Sequence, residues 1–350
     1  MNINQLLDLT IQKNSSDLHL VVGFAPELRV HGELLTIPGT ETITPTELDS
    51  LLAPLLNPLQ KEIFTKDFEL DFSFDFENKA RFRVNLYRQK GKVAAAMRLI
   101  PLQIRSLEEL GVPTIISNIT DLRQGFILVA GPTGHGKSTL LAALIQKINT
   151  ERASHIVTIE DPIEYVYPPG KSLISQRELY YDTKSWNNAL RSVLREDPDV
   201  VLVGEMRDLE TIASAMTIAE TGHLVFATLH TNSAAQSIDR IIDVFPQNQQ
   251  PQIRLQLAST LEAIISLRLV PTINPGRVMA TEILFATPAS RNVIREAKTY
   301  LLDNLIQTSA EMGMISMETS LAALVKSGKI SQDIAARFAL RPEMLMKLLQ

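Results

Sequence analysis

The sequence contains no cysteine. That excludes disulfides, thiolate zinc sites and a cysteine nucleophile. No apolar run approaches the roughly 18 residues that a membrane-spanning helix requires. Apolar runs such as residues 126–130 are the length of a strand. Residues 1–8 carry no basic region and no signal-peptide pattern. No basic stripe is present either: Lys and Arg are interleaved with acids, and the formal net charge is −5. A protein that tracks a nucleic-acid backbone carries such a stripe. The expected partners are therefore proteins rather than nucleic acid, and the expected compartment is the cytoplasm. Internal repeats and low-complexity stretches are also absent.

What is present is an ordinary globular composition, 45% hydrophobic and 21% charged over 350 residues, enough for two domains. In the N-terminal part, Ile3, Leu6, Leu7 and Ile11 recur at helical spacing, and residues 17–22 and 27–31 read as strands around a turn. Thr44, Pro45 and Glu47 form the opening of a capped helix. Residues 68–76 and 81–85 again follow strand patterns. The stretch from residue 100 to 113 has two prolines, a glycine and little periodicity. These signals predict an N-terminal α/β domain over 1–100, a linker over 101–115 and a second domain over 116–350. In that second domain short continuous apolar runs (126–130, 156–159, 200–203, 224–229) alternate with helix-length segments. This is the pattern of a parallel sheet buried on both faces.

Residues 131–138 match GxxxxGK[ST] in every fixed position, with a strand before and a helix after. Pro132, Thr133, Gly134, His135, Gly136, Lys137, Ser138 and Thr139 are the candidate nucleotide-binding set. Glycines let backbone amides turn toward phosphate oxygens, and a helix N-terminus adds partial positive charge. Lys137 would reach the β- and γ-phosphates of ATP, and Ser138 would place its hydroxyl on Mg²⁺. Hydrolysis needs acids as well. Glu160 and Glu205 each follow an apolar run, where sites in α/β sheets belong. Where many phosphate-loop enzymes carry aspartate directly after the strand, this chain has Gly204, and Glu205 takes over. Glu205 is the candidate metal organiser and base, with Glu160 polarising water; the two roles are interchangeable on sequence alone. Asp208 is as readily a helix cap as a site residue. His223 and His230 flank the run 224–229 and are read as nucleotide sensors. His135 is expected at the exposed crest of the loop, and His19, His31 and His155 are read as structural. Arg81, Arg83 and Arg98 lie in strand-like segments of the N-terminal domain, and sequence logic alone gives them no site.

The motifs taken together resemble the secretion ATPase superfamily, and within it the retraction motors of type IV pili. Residues 16–20 and 29–32 resemble that family's N-terminal PAS-like module, and 81–85 and 98–101 its arginine-bearing strands. Residues 131–138 are similar to its Walker A motif, 158–164 to its Asp box, 203–208 to its Walker B motif and 221–232 to its His box. Residues 289–296 and 312–317 resemble its C-terminal retraction segment. The resemblance implies a RecA-like ATPase core and a homohexamer that traps ATP between neighbouring subunits. It also implies trans-acting roles for Arg83 and Arg98, and turnover coupled to pilin disassembly at an inner-membrane platform protein. Association with the cytoplasmic membrane would then be peripheral, through those partners. Three positions depart from the family: His135 stands in place of Ser, Leu140 in place of Thr, and Ser290 in place of an apolar residue whose contact it is expected to weaken. Pilus extension or type II secretion ATPases are alternatives. They usually carry an extra N-terminal domain and a four-cysteine zinc module, and this chain has no cysteine. An accessory retraction subunit keeps the same motifs and stands as a further reading. A nucleic-acid translocase or a non-catalytic sensor fits the acidic balance and the intact Glu160, Glu205 and Lys137 less well.

Overall fold

The structure, a computed structural model, describes residues 1–30 and 32–350; His31 lies outside the described residues. The chain divides into two compact units, Met1–Gln103 with Asp161–Val166, and Ile104–Glu160 with Tyr167–Gln350.

The first unit runs α1 (Ile3–Gln12), β1 (Asp17–Val21), β2 (Glu27–Val30), β3 (Glu33–Thr36), α2 (Pro45–Leu52), α3 (Pro58–Asp67), β4 (Glu69–Phe76), β5 (Ala80–Gln89) and β6 (Lys92–Ile100). Its strands form an antiparallel sheet in the order β3-β2-β1-β6-β5-β4. Period-two alternation fixes the faces. In β5, Ala80, Phe82, Val84 and Leu86 are buried and Arg81, Arg83, Asn85 and Tyr87 only half-buried. The buried face packs with Leu6 and Leu7 of α1, Leu18 and Leu20 of β1 and Leu48 of α2. α2 starts as its spacing requires: Thr44 and Glu47 exchange capping hydrogen bonds, with Pro45 in the first turn.

The second unit runs α4 (Leu107–Leu110), β7 (Gly125–Ala130), α5 (Lys137–Glu151), β8 (His155–Glu160), β9 (Leu173–Glu178), α6 (Trp186–Val193), β10 (Val200–Val203), α7 (Leu209–Glu220), β11 (Leu224–Leu229), α8 (Ala234–Asp243), α9 (Gln250–Thr260), β12 (Leu261–Pro271), β13 (Arg277–Phe285), α10 (Pro288–Arg295), α11 (Leu302–Thr308), α12 (Met317–Lys326), α13 (Gln332–Phe338) and α14 (Pro342–Leu349). The sheet order is β13-β12-β7-β11-β10-β8-β9. All neighbours are parallel except β13, which pairs antiparallel with β12. Every residue of β7, β10 and β11 is buried. Successive β7 residues feed two separate cores: Phe126 and Leu128 join one, Ile127 and Val129 the other. Each such side chain contributes about 1.5–3 kcal/mol through burial, so the strands with no polar alternation are the sheet's most stabilising. α12, α13 and α14 pack a smaller core against Val270 of β12 and Ala280 of β13.

Three expectations are corrected. Residues 101–115 are not a free linker: Ser106 and Glu109 form a capping box, α4 follows, and Leu107 and Leu110 enter the core beside α5. The second domain is not one continuous span from 116, because Asp161–Val166 leave it for the first unit. Ser290 does not simply weaken an apolar contact. It is fully buried and forms a capping box with Thr287 at the start of α10, its hydroxyl also lying 3.2 Å from the Phe285 carbonyl. No helix among the described residues is long and apolar enough to cross a membrane.

Candidate functional site

The C-terminal ends of β7, β8, β10 and β11 carry the loop 131–136, Glu160, Glu205 and His230. This edge of a parallel sheet is where α/β ligand sites form. The loop leaves β7 through Gly131, whose φ is 147° and where a Cβ would stand 2.7 Å from the Leu267 carbonyl oxygen. Gly134 and Gly136 both have left-handed φ, 77° and 92°. A Cβ on Gly134 would meet nothing within 4 Å, so the crest is open. Thr133, Gly134 and Ser138 are exposed; Pro132, His135, Gly136 and Thr139 are half-buried. Gly136 caps α5 without a side-chain acceptor, leaving first-turn amides able to receive an anion.

Lys137 is 9% exposed, and its Nζ donates to the carbonyls of Gly131 at 2.7 Å and Pro132 at 3.1 Å. The same ammonium stands 3.5 Å from Nδ1 of His230, and Thr133 Oγ1 lies 3.2 Å from that nitrogen. An ammonium has no lone pair to offer, so Nδ1 is the acceptor and Nε2 carries the proton. Nε2 faces Glu205 Oε1 at 3.3 Å, while Glu205 Oε2 accepts from Arg207 Nη2 at 2.8 Å. Burial would raise the Glu205 carboxyl, but Arg207, then His230 and Lys137, outweigh it and hold it below the ordinary carboxylate value. Burial, with Lys137 beside it, lowers His230 despite the attraction of Glu205. The result is an ionised acid, a neutral histidine and a buried ammonium joined under an open, amide-lined loop. A phosphate chain fits that arrangement. Among the described residues no group of three or more acidic or histidine side chains could by itself hold a metal.

Gly204 explains why the acid sits one position late. A Cβ there would lie 3.1 Å from the Ile159 carbonyl oxygen and 3.2 Å from the Glu160 Cα. The backbone of β8 fills the space an aspartate would need. Glu160 itself is held on its own side of the sheet, Oε1 accepting from Thr158 Oγ1 at 2.6 Å and from Gln176 Nε2 at 3.2 Å. Asp208 is the N-cap of α7, accepting from the Thr211 amide at 2.9 Å.

Two histidine expectations change. His135 is not an exposed crest residue: its Nδ1 accepts from the Leu269 amide of β12 at 3.1 Å. Burial, then Arg268, Lys137 and Arg277, lowers its pKa. His223 is not part of the site. It precedes β11 while His230 follows it, and six strand residues at about 3.3 Å each separate the two by roughly 20 Å. Its Nδ1 lies 3.0 Å from the Ile218 carbonyl at the end of α7. Arg207 and Thr133 were not expected as partners of Glu205 and His230. The only signal was a cation two residues after Glu205.

Arg83 and Arg98 belong to the first unit, where register sets Arg29, Asp17, Arg98, Arg83 and Ser73 in one row across β2, β1, β6, β5 and β4. Arg98 Nε donates to Asp17 at 3.0 Å, and Arg83 Nη1 to Glu164 at 3.0 Å. Arg81 Nε donates to the Ile163 carbonyl at 3.0 Å and its Nη1 to Asp75 at 2.6 Å.

A family model described as type II/IV secretion system protein matches residues 65–323. The chain is 45% identical over 345 residues to the type IV pilus retractation ATPase PilT of Pseudomonas aeruginosa, covering 98% of this chain and 99% of that one. It is 47% identical over 334 residues to a twitching motility protein of Neisseria gonorrhoeae, covering 95% of this chain and 89% of the other. A crystal structure of the pilus retraction motor PilT with bound ADP is similar to it at a TM-score of 0.88 and 42% identity, with 99% of each chain covered. The chain belongs to the type II/IV secretion system protein family.

Proposed function

We propose that this chain is an ATP-hydrolysing motor that drives type IV pilus retraction. The observation that carries the reading is the Lys137, His230 and Glu205 cluster beneath an open phosphate loop. ATP is the substrate, its β- and γ-phosphates lying on the amides of residues 132–138. Lys137 exchanges the carbonyls of Gly131 and Pro132 for phosphate oxygens. Mg²⁺, held by the Ser138 hydroxyl and oriented from the Glu205 side, would neutralise charge between the β- and γ-phosphates. Glu205 is ionised and accepts from His230, so it can orient and deprotonate the attacking water. Glu160 supports that water from the β8 side. His230, touching both the Lys137 ammonium and Glu205, reports whether a γ-phosphate is present.

The motor acts as a homohexamer in the cytoplasm at the inner face of the cytoplasmic membrane. There it engages an inner-membrane platform protein and the pilin machinery. Arg83 and Arg98 act in trans on a neighbour's nucleotide, leaving Glu164 and Asp17 to do so. The relatives' names support retraction over extension. The test is Glu205→Ala. Steady-state hydrolysis should fall by about 10²–10⁴-fold, the range for losing a general base, while binding of a fluorescent ATP analogue persists. Wild-type turnover by that variant overturns the assignment. Cells lacking the gene should be hyperpiliated and unable to retract; bald cells would point to extension.

A further inference from the structure

Glu282 of β13 is a carboxylate with no exposed surface. Its Oε1 accepts from the Ala234 amide at 2.8 Å. Ala234 opens α8, four residues after His230, and Ser233 caps the same helix through the Gln236 amide. Glu282 therefore occupies the first-turn position where an anion satisfies an orphan amide and meets the helix dipole. Two further bonds stiffen the four-residue span: Thr231 Oγ1 to Ser237 Oγ at 2.7 Å, and the Asn232 amide to Gln236 Oε1 at 3.1 Å. The helix held by Glu282 is thus the one that fixes the histidine-bearing turn.

The other carboxyl oxygen, Oε2, is buried without a hydrogen bond and stands 3.8 Å from Arg341 Nη2. Arg341, the N-cap of α14, binds Asp303 of α11 at 2.9 Å and lies 3.3 Å from Glu318 of α12. Glu318 is also fully buried, and its Oε1 accepts the amides of Leu340 and Arg341. Arg268 of β12, bonded to the Phe338 carbonyl, acts on both glutamates through its charge. The groups facing Glu282 are thus the Ala234 amide, Arg341, Asp303, Glu318 and Arg268. Of these, only Arg268 bears on the site described above, through its charge on His135.

We propose that Glu282 is a positioning residue for His230: it anchors α8 behind the histidine turn, and Arg341 sets how firmly that anchor holds. The inference rests on the reading of His230 as the γ-phosphate sensor. The geometry makes the C-terminal helices α11, α12 and α14 the outer support of that anchor. Burial, then the nearby acids Asp303 and Glu318, pushes the Glu282 carboxyl up to about 7 against the pull of the Ala234 amide and Arg341. Above that pH the anion holds the helix start. Below it the neutral acid keeps a weaker bond to the amide and loses the attraction of the dipole.

The test compares Glu282→Gln, Arg341→Gln and the double variant in the full chain. Glu282→Gln should lower kcat about tenfold, leave the KM for ATP within twofold, and remove the step near pH 7 from the kcat profile. In ATP-free protein, amide exchange over residues 231–238 should speed up at least tenfold, a readout that needs no hydrolysis. Arg341→Gln should do both to a smaller extent, and the double variant should match the worse single. Wild-type exchange and pH profile in Glu282→Gln overturn the anchor, and multiplying effects in the double variant overturn the role of Arg341. If Glu282→Gln does not fold, Arg341→Lys is read by the same exchange, and unchanged rates there overturn the proposal. If the wild-type protein does not hydrolyse ATP, the functional reading fails while the exchange result still decides the anchor.

Discussion

At Gly204 a single missing side chain sets where the candidate acid Glu205 lies. The carbonyl of Ile159 and the Cα of Glu160 occupy the space a Cβ would take, so Gly204→Ala forces β8 and β10 apart. Urea unfolding should report a loss of about 1–3 kcal/mol, the usual cost of overpacking, and turnover should fall because Glu160 and Glu205 shift together. His135 carries the opposite lesson. Its ring accepts from an amide 134 positions away in sequence, and no local pattern reveals such a partner, so the loop motif was legible and the role of its unusual residue was not. Because burial and nearby cations depress its pKa, the folded state favours the neutral ring. The stability this lends is present above the ordinary histidine value of 6.5 and is lost as pH falls through the depressed one. The difference in unfolding free energy between wild type and His135→Asn should therefore shrink below pH 6.5; a constant difference from pH 5 to 8 would refute the bond. Glu282 has the reverse sign. A carboxyl raised to about 7 is best tolerated below its unfolded value and costs stability as pH rises through 7. The stability of Glu282→Gln relative to wild type should therefore rise between pH 4.5 and 8 in melts, whatever the loss of the anchor costs, and a constant difference would refute the raised carboxyl.

Among the elements, legibility followed burial. β7, β10 and β11 are buried along their whole length and announce themselves as apolar runs. β9 is half-exposed along most of an edge and reads Leu-Ile-Ser-Gln-Arg-Glu, which matches no strand template. It escaped notice, as did the β12 and β13 pair. Helix starts were written in capping residues, and Asp208 shows why a cap and a catalytic acid look alike in a sequence. Its carboxylate accepts from Thr211 and lies one residue before α7. Asp208→Ala should cost about 1 kcal/mol, as N-cap losses do, and leave kcat within twofold. A kcat loss of a hundredfold would return Asp208 to the chemistry. Parallel strands brought Lys137, Glu205 and His230 together because each ends at the same sheet edge, a consequence of topology that residue spacing alone foreshadows. His223 was misjudged for the same reason: both ends of β11 look equal in sequence, and only one faces the loop.

For the whole molecule, the proposed trans role of Arg83 supplies the sharpest expectation. Arg83→Ala subunits keep their own Lys137, and Lys137→Ala subunits keep Arg83. Mixing the two inactive proteins should therefore recover a fraction of wild-type hydrolysis. No recovery at any ratio would leave Arg83 a structural partner of Glu164. The division of the chain bears on how such a protein can be taken apart. The polypeptide passes from one unit to the other at Gln103, at Glu160 and again at Val166. The first unit therefore has no single pair of ends. A fragment stopping at Gln103 would lack the six residues that supply Arg81 with the Ile163 carbonyl and Arg83 with the Glu164 carboxylate. It should be rescued by adding that hexapeptide on a linker, as a lock is restored by returning its pin. A protease cut in the loop after Glu160 would sever only one of the three crossings, and would leave Ile163 and Glu164 on a different fragment from Arg81 and Arg83.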